Sequence, residues 1–429
     1  MSEAAKKPRI SLTKQIVIAT VVGLVLGTLV GPKIAGIKVI GDIFLRLIQM
    51  SVPIIILGAV TEAVGSLNPK DLGKLGFKMF LWFLIPTVLA AGIGWFLATI
   101  IQPGVGLPEI QLATEIKPVP QDMQTVILNF FPVNIVRSMS EGSMIQVIVF
   151  ALMLGAALSI DRAHEDDSEI FFLIKRGNRI VLRVIKIVMH IAPLGVGALM
   201  AWVAGVMGLQ IIVPLIKYLG ATALGVAIIM TAMILITAAR CKVNPLKLAG
   251  KLTDMSVVAA TTTSSAISLP IKMADSVGKL GVSERISNLV NPLGMVLNST
   301  GQALFLSIAS MMIAQFFKID MSAERTVQVI VMSTLACMGT LAVPGGALVI
   351  FASIMPTLGF PVEGIALIAG VDWFRGALTT IPNVACDALV ALIIAKDEGE
   401  FNRDIFDGKI TIDEYNAQME AMETAEASA

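Results

Sequence analysis

Charge is scarce in this sequence. Only 15% of its residues are Asp, Glu, Lys or Arg, 56% are hydrophobic, and the mean hydropathy is +0.84. A soluble chain carries charge at roughly a quarter of its positions, so much of this surface is expected to meet lipid. The charges that are present nearly cancel, at +1 net, which argues against nucleic acid or an acidic partner. Histidine is almost missing: His164 and His190 are the only two, and neither is spaced to serve a serine nucleophile as a base. No paired-aspartate motif of an intramembrane hydrolase is present either, so an enzyme is not expected. The three cysteines, Cys241, Cys337 and Cys386, are odd in number and widely separated, which gives neither metal-ligand spacing nor a disulfide framework. No cleavable leader is expected, because Lys6, Lys7 and Arg9 run directly into an apolar stretch without a small-residue cleavage site.

Long apolar runs fill the space that charge leaves. A spanning helix needs about 20 predominantly apolar residues to cross a hydrocarbon core about 30 Å thick, and lipid cannot satisfy open backbone groups, so such runs must be helical. Candidates lie at residues 13–31, 37–66, 76–101, 143–160, 178–207 and 209–239. Basic residues cluster at every second connection. Lys6, Lys7, Arg9 and Lys14 precede the first span; Lys70, Lys74 and Lys78 follow the second; Arg162, Lys175, Arg176 and Arg179 follow the fourth; Arg240, Lys242, Lys247 and Lys251 follow the sixth. The positive-inside rule makes these connections cytoplasmic. Residues 102–123, proline-rich and with Lys117 as their only basic residue, read as an external loop. The acidic, helix-prone residues 397–429 read as a cytoplasmic tail without chemistry of their own.

After residue 250 the pattern changes. Residues 257–270 (VVAATTTSSAISLP) and 331–361, which carry Val343-Pro344-Gly345-Gly346 at their centre, are too interrupted for straight helices. Each reads as a re-entrant hairpin, since irregular backbone is tolerated at membrane depth only where it is buried in protein or lines a cavity. The competing reading is two kinked spanning helices. Each hairpin is followed by a helix with polar residues in an apolar frame: about 286–315, with Asn298-Ser299-Thr300-Gly301-Gln302, and about 362–395, with Asp372, Arg375, Thr379, Thr380, Asn383 and Asp387. The separation from hairpin tip to asparagine is similar in the two halves. Paired broken segments at corresponding positions point to a transporter's midplane binding site. The fold class is therefore an all-α polytopic membrane protein with eight transmembrane helices and two re-entrant hairpins.

Helical periodicity places Asp372, Gly376, Thr379, Thr380, Asn383 and Asp387 on one face. An ionisable group inside a membrane costs at least about 2.5–3.5 kcal/mol. Asp387 has no cationic neighbour one turn away, so a bound cation or a proton is its expected partner; the alternative is a protonated or hydrogen-bonded structural carboxyl. Asp372 and Arg375, three apart, either neutralise one another or contact substrate. Asn298 and Asn383 offer both donors and acceptors. Ser264 and Ser265 at one tip, and the N–H groups from Val343 to Ala347 at the other, are suited to surrounding a carboxylate.

At these residues the sequence resembles the dicarboxylate/amino acid:cation symporter family, which includes the glutamate transporter homologues. The likeness runs from the first helix to about Lys396 and rests on the Ser264-Ser265 tip ending in Leu269-Pro270, the Asn298 turn with Gly301, the Val343-Pro344-Gly345 tip, and Asp372-Trp373-Phe374 running to Asn383 and Asp387. It implies an elevator-type homotrimer in the inner membrane with both termini cytoplasmic. Residues 1–75 would hold scaffold helices one and two. Residues 76–101 would be helix three of the transport domain, and 102–207 the external loop with scaffold helices four and five. Residues 208–396 would form the core transport domain, with hairpin two as the extracellular gate. The lipid bilayer and a small-molecule substrate are the implied partners. By the same likeness Ser265, Val343, Thr380 and Asn383 would touch substrate; Ser264 and Gly345 at the two tips and Thr379 on the helix face complete the expected substrate-binding set. Asn298 and Asp387 would form one sodium site, and Cys337, Met338 and Thr340 a second. Coupling would be to Na+ or H+, with no organic cofactor.

The sequence also departs from the family pattern. The family's Asn-Met-Asp-Gly-Thr turn reads Asn298-Ser299-Thr300-Gly301-Gln302, and helix three offers Phe83, Pro86 and Thr87 where Tyr, Thr and Ser ligands are usual, so a third sodium site looks dismantled. The arginine that reads a side-chain carboxylate is Thr379, and the aspartate that holds the α-amine is Gly376. A small neutral amino acid or related carboxylate is therefore the expected substrate. The alternatives are a C4-dicarboxylate or other organic acid, with Arg375 as the reader, and a passive anion pore or a sensor on the same fold.

Overall fold

The structure, a computed structural model, describes residues 12–50, 52–65, 74–106, 128, 131–141, 143–164, 169–337, 346–412 and 414. The regular elements among them are helices. The first half comprises α1 (Leu12–Val30), α2 (Lys38–Gln49), α3 (Val52–Gly65), α4 (Lys74–Ile101), α5 (Ile135–Glu141), α6 (Met144–His164), α7 (Glu169–His190), α8 (Ala192–Met207) and α9 (Ile212–Cys241). The second half comprises α10 (Pro245–Lys251), α11 (Thr253–Thr262), α12 (Ser265–Gly278), α13 (Glu284–Leu297), α14 (Thr300–Phe316), α15 (Ala323–Ala336), α16 (Gly346–Ile354), α17 (Ile365–Ala369), α18 (Asp372–Glu398) and α19 (Arg403–Asp407).

Five stretches among the described residues are long and apolar enough to cross a bilayer: Ile18–Phe44, Leu75–Ile101, Ile212–Cys241, Glu284–Phe316 and Asp372–Glu398. Two of the expected spans are interrupted. The run 37–66 divides into α2 and α3, with Pro53 in the first turn of α3, where its missing N–H leaves no bond unmade. The run 178–207 divides at Ile191, with a proline in the first turn of α8. The helix before that break, α7, carries exposed Lys175, Arg176, Arg179 and Arg183 among exposed Ile170, Leu173, Ile180 and Ile187, a composition suited to an interface between lipid and water.

α11 and α12 pack against each other and both pack on α18. At 10 and 14 residues, and 1.5 Å of rise per residue, neither arm reaches across a bilayer. The turn between them is sharp because Thr263 is left-handed, at φ 49°, which a β-branched residue seldom adopts. Ser264 is extended and accepts a hydrogen bond from the Ile267 N–H, capping α12. α15 and α16 flank the second interrupted segment, whose tip lies outside the described residues, as do Met338, Thr340, Val343 and Gly345.

One large apolar core runs through α4, α9 and the helices from α11 to α18, with Phe83, Tyr218, Phe305 and Phe351 fully enclosed. A smaller one joins Phe44, Val60, Val147, Ile148, Ala151, Val188, Ala192 and Val196, contributed by α2, α3, α6, α7 and α8. At the end of α18, Asp397 takes two bonds from Arg240, at 3.1 and 2.8 Å, and pairs with Lys78 at 3.1 Å, which joins α4, α9 and α18. Beyond it the chain doubles back under the hairpin: Asn402 N–H donates to Gly281 O at 2.7 Å, and Arg285 pairs with Glu400 at 2.5 Å. The Arg285 guanidinium, with a bond from the Ser283 hydroxyl, holds the Glu400 carboxyl below the usual carboxylate range against the opposing effect of burial.

Candidate functional site

α18 is the spine of the site, because α9, α11, α12, α13 and α14 all pack on it. The expected span 286–315 is broken at its polar centre. α13 ends at Asn298, whose backbone is extended (φ −114°, ψ 109°), and α14 begins at Thr300. The break leaves N–H groups at the start of α14 without helical partners, and one is answered from α18: Gly301 N–H donates to Asn383 Oδ1 at 2.7 Å. Gly301 allows this approach, since a Cβ there would lie 2.0 Å from the Thr379 carbonyl oxygen.

One turn before Thr379 on α18, Arg375 is buried and paired. It donates from Nε to Asp372 Oδ1 at 3.1 Å, makes a second shorter bond to the same oxygen, donates to the Thr379 hydroxyl at 3.1 Å, and lies 4.4 Å from the centre of the Phe305 ring. Of the two sequence alternatives for Asp372 and Arg375, mutual neutralisation is the geometry present. Thr380 donates to Gly376 O at 2.7 Å. Gly376 faces the hairpin turn, where a Cβ would stand 3.6 Å from that of Thr263. The Thr263 hydroxyl is buried without a hydrogen-bond partner, beside buried Ser264 and Ser265. The first tip, the α13–α14 break and the middle of α18 thus carry hydroxyl and amide groups, with the single guanidinium already paired. Gln302 donates to Ala347 O at 3.4 Å, linking this region to the start of α16.

One turn further along α18, Asp387 is fully buried. Its Oδ1 accepts from Asn298 Nδ2 at 2.7 Å, and its Oδ2 accepts from Lys272 Nζ at 2.5 Å. Lys272 comes from α12, is itself 0% exposed, and donates also to Asn291 O at 2.9 Å. Asn298 Oδ1 takes the Thr300 hydroxyl at 2.9 Å and stands 3.2 Å from that of Thr87. No side chain fits between α13 and the carboxylate, because a Cβ on Gly294 would lie 2.5 Å from Asp387 Cγ. The hydrogen-bond partners of this carboxylate are an ammonium and an amide N–H, both donors. The neighbouring amide oxygen, Asn298 Oδ1, already accepts the Thr300 hydroxyl, and the Lys272 ammonium stands where a hard cation would reach the carboxylate oxygens, so the site as arranged fits the lysine and does not fit a sodium ion. Of the second expected cation site only Cys337 lies among the described residues, buried at the end of α15 with its thiol 3.0 Å from Thr334 O.

Lys272 is the residue that reading the sequence for motifs passes over. Its signal is there: a lone lysine in a hairpin arm, four residues after Ser268 and four before Ser276, all three fully buried. The acid nearest in sequence, Asp275 three residues on, is paired with Lys279 at 2.7 Å, so a lysine at membrane depth here needs a distant acid.

The family model for the sodium:dicarboxylate symporter family matches residues 12–397. This chain belongs to that family. A proton/glutamate-aspartate symporter of Bacillus subtilis is 33% identical over 400 residues, covering 91% of this chain and 95% of the relative. The Escherichia coli protein of the same name is 31% identical over 419 residues, covering 93% and 95%. A C4-dicarboxylate transport protein of Bacillus subtilis is 29% identical over 408 residues, covering 91% and 94%. This family member is accordingly a membrane transporter, not an enzyme, from a family of cation-coupled dicarboxylate and glutamate symporters.

Proposed function

We propose that this chain is a cation-coupled symporter of the inner membrane, with both termini cytoplasmic, that carries a small neutral amino acid or related carboxylate. The observation that supports this substrate class is the internal neutralisation of Arg375 by Asp372, with the third guanidinium bond spent on Thr379. A second substrate carboxylate meets no free guanidinium fork on this face of α18. A single carboxylate is served by the hydroxyls and backbone N–H groups of the first tip and by the Asn383 amide, and by Thr380 once its hydroxyl turns from Gly376 O. An amine finds hydroxyl rather than carboxylate groups at Gly376, which suits a neutral amino acid less firmly than a related acid without the amine. In this reading α4, α9 and the helices from α11 to α18 move as one transport domain against a scaffold in a homotrimer. Hairpin two, through Val343 and Gly345, closes over bound substrate, with Cys337, Met338 and Thr340 beneath it as the cation site. The coupling ion is Na+ or H+, in keeping with relatives named proton/glutamate and proton/sodium-glutamate symporters.

The test is a thermal-shift screen of purified protein with neutral amino acids, monocarboxylates, acidic amino acids and C4-dicarboxylates, since a ligand that binds only the native state raises apparent stability. Stabilisation by neutral amino acids or monocarboxylates is expected. Stabilisation by acidic amino acids or C4-dicarboxylates alone would replace this reading with the second one, in which Arg375 leaves Asp372 to read a second carboxylate. That second reading is favoured by the C4-dicarboxylate relatives. A passive pore is distinguished by counterflow, which a pore does not show.

A further inference from the structure

Two charged side chains are buried inside the large core: Lys272 and Asp387 are each 0% exposed, on α12 and α18, 115 residues apart. An unpaired charge at such depth is strongly disfavoured, and each of these is the other's compensation. Both sides are also held by further bonds. The carboxylate takes Lys272 on one oxygen and Asn298 on the other, while the ammonium spends a second proton on the Asn291 carbonyl. We infer that Lys272 is a built-in counter-ion, a tethered ammonium in the place where a mobile cation would otherwise neutralise Asp387, so this carboxylate takes no Na+ during transport.

Adding Na+ beside Asp387 would leave a net positive charge buried against the Lys272 ammonium, which would have to turn away from the carboxylate first. The inference rests on the symporter reading in one respect, its consequence for the cycle. Without a counter-ion, an empty carrier would have to drag a bare carboxylate through the bilayer, which is expensive. With Lys272 attached, this position is neutral whether or not ions are bound, so the empty domain can return without Na+ here. Any coupling ion must then be held elsewhere, and the number of ions per cycle falls by this one.

Thermal unfolding of the purified full chain in NaCl and in choline chloride of equal ionic strength tests the assignment without a transport assay. The readout is the Na+ shift, the difference between the two midpoints. Lys272→Met should unfold at a lower midpoint than wild type in choline and show a larger upward Na+ shift, because the freed carboxylate recruits the ion. The charge-free pair Lys272→Met/Asp387→Asn should show the wild-type Na+ shift. Two results overturn the proposal: a wild-type Na+ shift that disappears in the charge-free pair, or a folded Lys272→Met whose Na+ shift does not exceed that of wild type. Should Lys272→Met not be recovered folded, the comparison of wild type with the charge-free pair decides alone. Counterflow in proteoliposomes reports on the transporter reading separately: absent counterflow with the expected Na+ shifts removes symport and leaves the Lys272 assignment standing.

Discussion

Asn383 spends its side-chain oxygen on the Gly301 N–H, the donor exposed by the break between α13 and α14. Asn383→Ala removes that acceptor from a largely buried N–H, a loss of about 1–3 kcal/mol, and also one polar group from the proposed substrate site. The expected outcome is a lower unfolding midpoint together with a weaker ligand-induced shift. A lowered midpoint with an unchanged ligand shift would confine Asn383 to a structural part. Gly301→Ala acts at the same contact from the other side. Its methyl would meet the Thr379 carbonyl 2.0 Å away, and overpacking of this kind destabilises by about 1–3 kcal/mol. Loss of substrate-induced stabilisation should accompany the drop in midpoint, because Thr379 and Thr380 would be pushed off line; a variant as stable as wild type would show that α14 can retreat freely. The sequence made Asn383 and Gly301 visible as members of a pattern. Their bond to each other was not legible, since 82 residues separate them.

Among the elements, the return segment after α18 is the one whose stability should follow pH. Glu400 is held below the ordinary carboxylate range by Arg285 and Ser283. A carboxyl whose folded value is depressed binds protons more readily when unfolded, so its contribution is present above the unfolded value and is lost as pH falls through the folded one. Amide exchange around Gly281 and Asn402 should therefore accelerate as pH is lowered past the usual carboxylate range, after correction for intrinsic rates. In Glu400→Gln that step should be absent; its persistence would assign the effect to other acids nearby. This clasp is not legible in the sequence, where 397–429 is a polar tail without a marked partner for Glu400. Interrupted spans were partly legible: Pro53 and the Asn298 turn sit in the sequence as breakers, but whether a proline bends a helix or starts a new one depends on what packs beside it.

For the whole molecule, a carrier and a pore differ in one observable. Proteoliposomes preloaded with a substrate from the stabilising class should take up external labelled substrate faster than empty ones. Indifference to the internal load would remove the alternating carrier and leave the pore. If Na+ drives net uptake, Asp387→Asn should alter that dependence little, because the charge it removes is already balanced internally; the lysine left behind makes the variant less stable, by about 3–5 kcal/mol, so uptake is to be normalised to folded protein.

The sequence alone determined the solvent, the helical class, the interruption of the first hairpin and the polar face of α18, because scarcity of charge, run length and a 3.6-residue period are local properties that lipid enforces without reference to partners. It also carried the family, through residues that stand in recognisable order. Only the tertiary structure decided what neutralises Asp387. An ammonium 2.5 Å from a carboxylate dominates the electrostatics of a buried site, but that distance is set by how α12 lies across α18, and no periodicity along the chain encodes which distant charge a buried one will meet.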